Sequence, residues 1–294
     1  LKDNSEHFAL LRCIASLNLS PHARVQKSPS CHNPGFTSHP ETAIMLIDSH
    51  CHLDDPRFNG QHTALISAAA EAGVSDCVLP ATTTSSWQPI AKLATCYANV
   101  HPAYGLHPWF LDQHEEGAIN QLTSWIEHHP TVAIGECGLD FSREEHSHQE
   151  ELFADQIELA QQTGLPLIIH AHKALDRVIQ LLRHHSGVRG VVHRFAGSQR
   201  QAEQLTELGI YIGVAAGITY PKQAKLRRTI AALPLETLLL ESDAPDLPPA
   251  GITDPLNAPQ LLPLTLKALA ELLTKPLAEV SQQTTLNTQQ LFNI

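Results

Sequence analysis

Six imidazole or carboxylate side chains stand at the C-terminal ends of five short apolar runs. His50 and His52 close MLIDSHCHL, Glu136 follows VAIG, His170 closes PLIIH, His193 closes GVVH, and Asp243 follows TLLLES. One such residue after one strand would carry little information. Five strand ends that deliver four histidines and two carboxylates constrain the architecture strongly. In a parallel α/β barrel the loops at the carboxyl ends of the strands converge on one face. His, Glu and Asp are also the side chains that bind borderline and hard divalent cations. The pattern predicts a (β/α)8 TIM barrel whose mouth holds metal ions and carries out hydrolysis.

The intervening sequence supports that architecture. Short β-rich runs at 44–49, 75–80, 100–105, 132–136, 166–170, 189–193, 210–214 and 237–241 alternate with helix-period stretches. Those stretches include 61–72, 118–129, 148–163, 198–208 and 221–233. In QEELFADQIELAQQTG, residues Leu152, Phe153, Ile157, Leu159 and Ala160 form a stripe of 3.6-residue period, and Gly164 and Pro166 end it. Near-continuous apolar runs such as PLIIH suit strands covered on both faces. A closing helix or helix pair from Pro259 to Ile294 is expected to pack outside the barrel.

Residues 1–44 differ from this pattern. Ser, Asn, His and Pro dominate from Ser16 to Pro40, and the one methionine, Met45, stands directly before the first strand. Met45 is therefore the expected natural start, with residues 45–294 expected to form the hydrolase domain and 1–44 an upstream extension without fixed structure. A targeting peptide is the rival reading of that extension, because arginines alternate with serines there. The acidic residues Asp3 and Glu6 and the lack of a clean apolar stretch weaken a secretory signal.

No apolar run approaches the roughly 20 residues needed to span a bilayer, so no membrane association is expected. The six cysteines lack CxxC spacing, which suggests reduced thiols in the cytoplasm. A net charge of −11 argues against nucleic-acid binding through a broad basic face. It leaves a nuclease open, because bound divalent ions supply strong local positive charge. The adjacent histidines His128-His129 and His184-His185 read as solvated groups at helix ends.

His50-Cys51-His52 is the sharpest local signal. Residues i and i+2 of an extended segment point the same way, so both imidazoles can enter the barrel mouth while Cys51 points into the outer layer. Glu136 and Asp243 end apolar strands, where a carboxylate needs either a cation or several hydrogen bonds. Each could instead cap the following helix. His170 and His193, taken singly, could be core histidines bonded to backbone; their company makes a metal site the better reading.

The motifs IDSHCHLD, YGLHP, AIGECGLDF, VVHRFAGS and LLLESDAP, in this order, resemble those of the TatD-type metal-dependent hydrolases. The similarity extends over residues 45–294, is closest to the YjjV-like branch, and places the chain near the wider amidohydrolase group. It implies a TIM barrel with two divalent metal ions (Zn, Mn, Ni or Mg) and a family often described as DNases. Carried over by motif, His50, His52, Glu136 and Asp243 would surround one ion. Glu136, His170 and His193 would hold the other, with Glu136 bridging. The resemblance gives Asp243 the role of general base toward the attacking water. It places His107 of GLHP at the substrate or behind the ligands, Arg143 after GLD at a phosphate oxygen, and Asp54 and Asp140 behind the ligands. Arg194, beside His193, is a further candidate for substrate contact that the family motif does not supply.

Three departures bear on the substrate. His172 stands where the family usually has an arginine, HRFAG replaces HCFSG or HGFSG, and PLNAPQ replaces PNRPE. Two anion-binding arginines are lost and Arg194 is gained. The expectation is thus a cytoplasmic deoxyribonuclease acting on phosphodiester bonds of DNA, as a monomer or weak oligomer. Hydrolysis of a small-molecule ester, lactone or amide is the alternative. A non-catalytic barrel used for binding is a third reading, disfavoured by the complete set of six ligands.

Overall fold

The computed structural model describes residues 45–185 and 187–294. The expectations for residues 1–44 fall outside the described residues. Eight parallel strands follow one another in chain order: β1 (Leu46–Asp48), β2 (Val74–Pro80), β3 (Val100–Tyr104), β4 (Ala133–Asp140), β5 (Leu167–His172), β6 (Gly190–Val192), β7 (Ile210–Val214) and β8 (Leu238–Leu240). Hydrogen bonds from Ser49 N–H to Leu240 O (3.0 Å) and from Asp243 N–H to His50 O (2.9 Å) join the last strand to the first. The result is the TIM barrel that the alternation predicts.

Helices α1 (His62–Glu71), α2 (Thr84–Cys96), α3 (Ala118–His128), α4 (His146–Thr163), α5 (Leu175–His184), α6 (Gln199–Glu207) and α7 (Ala224–Ala231) lie between successive strands, and α8 (Leu262–Leu273) and α9 (Leu277–Phe292) follow β8. α2 runs through Pro89, a residue that reads in sequence as a break. His128, His129 and His184 each use Nδ1 on the carbonyl four residues back, at 2.7–2.9 Å, as expected of imidazoles at helix C-termini.

Two apolar layers set the direction of the strand side chains, except in β4, where the register shifts between Ile134 and Cys137. The larger joins the outward strand residues to the helices and contains Leu167, Ile169, Val192, Leu238 and Leu240. The smaller takes Val78, Ala103, Ala133, Ile168, Val191 and Leu239 from six different strands, together with Leu291 and Phe292 of α9. A cluster assembled from six strands lies inside the barrel, and the end of α9 packs against it. Strand parity then carries the argument upward. Ile168 is interior, so His170 is interior; Val191 is interior, so His193 is interior.

Candidate metal centre

The segment carrying His50 and His52 lies beyond the formal end of β1, yet it stays extended because both of its edges are bonded. Cys51 N–H donates to Val78 O (3.1 Å) on one side, and His52 N–H donates to Ala244 O (2.7 Å) on the other. Alternation survives: the two imidazole Nε2 atoms lie 3.1 Å apart, while Cys51 is buried in the outer layer. Asp48 fixes this corner. Its carboxylate accepts from Ser242 N–H at 2.8 Å and from the Ser242 hydroxyl at 2.5 Å, tying β1 to the residue before Asp243. Burial pushes the Asp48 carboxyl up to about 7, against the pull of the Ser242 hydrogen bonds.

Glu136 is the hub. Its Oε2 lies 3.4 Å from His50 Nε2 and 3.5 Å from His52 Nε2. Its Oε1 lies 2.8 Å from His193 Nε2 and 3.2 Å from His170 Nδ1. Each carboxylate oxygen therefore faces its own pair of imidazoles. Asp243 Oδ1 completes the first group, 3.7 Å from His50 Nε2. His170 Nδ1 and His193 Nε2, 3.2 Å apart, complete the second. All six predicted ligands converge at the carboxyl end of the barrel.

These spacings fit cations. Ligand atoms at about 2.1 Å from one ion stand roughly 3.0–3.5 Å from one another. Two imidazole nitrogens that face each other without an intervening proton or ion would repel. Buried His50 Nδ1 and His193 Nδ1 also have no hydrogen-bond partner. Burial, followed by the nearby His193, lowers His50 to about 4. For Glu136, burial opposes ionisation, but His193, His107 and His50 outweigh it and hold the carboxyl well below the usual range. Neutral imidazole beside ionised carboxylate is the protonation state a divalent cation requires.

Supporting contacts orient this set. His170 donates Nε2–H to Asp140 Oδ2 (2.9 Å), the contact that would leave Nδ1 as the ligand atom once a cation displaced its proton. Burial disfavours the charged His170, yet its bonds to Asp140 and Glu136 raise it to about 9. His107 is buried; its Nδ1 accepts from Trp109 N–H (3.0 Å), so Nε2 carries the proton and donates to Glu136 Oε1 (3.0 Å). Both ring nitrogens are committed, and His107 steadies Glu136 rather than offering a free donor to a ligand. Asp54 borders the same cleft, with one buried carboxylate oxygen lacking any partner.

The two arginines of interest differ. Arg194, half exposed, places Nη1 3.1 Å from Asp243 Oδ2, so its partner is a member of the metal set itself. Arg143 is exposed and makes no such pair; its guanidinium lies over the Trp109 ring, 4.8 Å from the centroid. Sequence reading missed two buried glutamines on α4. Gln156 accepts from Leu106 N–H (2.9 Å) and donates to Leu106 O (3.1 Å), directly before His107. Gln149 clamps Asp140 in the same way at 2.8 and 3.1 Å. The available signal was their seven-residue spacing on the helix face that also carries Phe153 and Ala160.

A parallel barrel with paired imidazole clusters about one buried carboxylate, at the floor of a cleft of about 1170 Å³, defines a metal-dependent hydrolase of the TIM-barrel class. Residues 47–293 match the family model described as TatD related DNase, and the chain belongs to that family. It is 40% identical over 254 residues to the "Uncharacterized metal-dependent hydrolase YjjV" of Escherichia coli (strain K12), covering 85% of this chain and 98% of the relative. The crystal structure of that YjjV superposes with a TM-score of 0.83 at 39% identity, covering 86% of this chain and all of the other. The "3'-5' ssDNA/RNA exonuclease TatD" of Klebsiella pneumoniae (strain 342) is 30% identical over 258 residues, 85% of this chain and 98% of the relative. Among the described residues no helix is long and apolar enough to cross a membrane.

Proposed function

We propose that this chain hydrolyses phosphodiester bonds of single-stranded DNA with two divalent ions, in the cytoplasm. The observation that carries this reading is the carboxylate of Glu136, each oxygen of which faces a separate imidazole pair. His50, His52, Glu136 and Asp243 are assigned to one ion, and Glu136, His170 and His193 to the other, drawn from Zn, Mn, Ni or Mg. Such ions supply Lewis acidity, which makes water acidic near neutral pH and polarises the phosphoryl oxygen. The exonuclease name of the Klebsiella relative supports a nucleic-acid substrate. The buried Cys51, Cys77 and Cys137, which form no disulfide among the described residues, support a reducing compartment.

Asp243 is assigned as general base. It accepts a proton from the attacking water as a new P–O bond forms, and returns it to the leaving oxygen as the old P–O bond breaks. Arg194 holds Oδ2 of that carboxylate, leaving Oδ1 toward the centre. Its exposed guanidinium can also meet a phosphate oxygen, as can that of Arg143. His107 keeps Glu136 in place, and Asp140 keeps His170 in the required tautomer.

The test is cleavage of an end-labelled single-stranded oligonucleotide by purified protein supplied with each metal, beside a panel of esters and lactones. Progressive shortening of the oligonucleotide is expected. Intact DNA with every metal, together with turnover of the ester panel, would replace this reading with small-molecule hydrolysis.

A further inference from the structure

Two of the three tryptophans, Trp87 and Trp125, pack against each other with ring centroids 5.6 Å apart. Trp109 does not share that environment. It is 43% exposed, the one aromatic among the large exposed hydrophobic residues described, and it lines the cleft above the metal centre. Its position is nevertheless fixed. It lies in the 3-10 segment Pro108–Gln113, which kinks at Phe110, and its N–H is bound to His107 Nδ1 at 3.0 Å. The indole therefore stands two residues from the imidazole that touches Glu136.

Arg143 reaches this indole from the loop after β4. The arginines engaged in ion pairs among the described residues are Arg57, Arg177 and Arg194. The Arg143 guanidinium is not spent on a carboxylate and lies over the ring instead. A cation over an indole is a favourable contact that leaves the positive charge available to a further anion. The net charge of −11 deprives the chain of a broad basic face, so a polyanionic strand needs a different local source of affinity. An aromatic platform with an adjacent arginine is the arrangement by which single strands are held through their bases.

Resting on the nuclease reading, we propose that Trp109, backed by Arg143, is a stacking subsite for an unpaired nucleobase beside the scissile phosphodiester. The site would then favour a strand whose flanking nucleotide carries a base over a phosphodiester without one. Stacking of one base on an aromatic side chain corresponds to roughly 5- to 150-fold in affinity.

The test compares two single-stranded oligonucleotides, one natural and one abasic at its last two 3′ nucleotides, cleaved by the metal-loaded protein. The wild type is expected to favour the natural end at least fivefold in kcat/KM. Trp109→Phe should keep most of that preference, while Trp109→Ala and the bulkier apolar Trp109→Leu should lose it. Equal rates on both substrates in the wild type, or a preference that persists in Trp109→Leu, would overturn the subsite and leave the nuclease reading standing. No cleavage of the natural oligonucleotide by the wild type with any metal would remove both.

Discussion

Replacing Glu136 by Gln tests the centre at its most connected point. Three imidazole nitrogens lie within 3.2 Å of Oε1 (His193 at 2.8 Å, His107 at 3.0 Å, His170 at 3.2 Å), and two lie within 3.5 Å of Oε2. Glutamine keeps the shape but removes the charge, and it puts an NH2 where one oxygen was. An NH2 in place of Oε1 would also oppose the N–H that His107 donates there, and in place of Oε2 it would put a donor where the cation charge is expected. Removing a residue that only orients a ligand costs about 10–100-fold in metal affinity or activity. Losing the carboxylate shared by both ligand groups should exceed 100-fold by the same measure. Asp54→Asn is the matched control, because Asp54 borders the cleft and acts on His52 only through its charge; its loss should stay within the range for supporting residues. Metal content after dialysis, read by elemental analysis, and hydrolysis rates should fall together in Glu136→Gln. Equal losses in the two variants, or two retained ions in Glu136→Gln, would show that Glu136 is not the bridge.

Gln156→Leu should strand the buried N–H and C=O of Leu106, costing about 2–6 kcal/mol at 1–3 kcal/mol per unpaired group; chemical denaturation measures this, and activity should fall as His107 shifts. Arg194→Ala should lower kcat more than it raises KM, because its guanidinium holds Asp243; a pure KM effect would assign it to the substrate alone. In metal-stripped protein, His170, raised to about 9, contributes stability that is fully present below about 6.5 and is lost as pH rises through 9. Thermal unfolding temperature should therefore fall across that window, and Asp140→Asn should flatten the fall. An unchanged slope would show that the Asp140 contact does not hold the proton.

The parts of this molecule that were legible in sequence are those governed by periodicity. Period-two alternation sends His50 and His52 inward and Cys51 outward, and it still applies beyond the end of β1 because neighbouring backbone holds the segment extended. Apolar runs mark all eight strands, although β4 continues to Asp140 and β5 to His172, past the points where the hydrophobic signal stops. Asp140 and His172 close these extensions with polar side chains that line the mouth, so hydrophobicity underestimates a strand at its functional end. What stayed hidden depends on partners remote in sequence. Nothing local to Gln149 or Gln156 shows that their amides close on the backbone at Asp140 and Leu106. Asp48, buried and bound to Ser242 across 194 positions, is equally silent.

These hidden contacts share one logic. Three segments at the mouth are gripped from behind by a buried polar side chain: Asp48 grips the β8 loop, Gln156 the β3 loop that carries His107, and Gln149 the end of β4. A buried hydrogen bond has direction, which apolar packing lacks, and so it fixes the loop's rotation as well as its depth. That matters for a centre in which Glu136 must present one oxygen to each imidazole pair. A rotation of the β3 loop would move His107 off Oε1, and with it the proton that keeps this carboxylate aligned. The barrel supplies the six side chains, and the buried polar grips set the angle at which they meet.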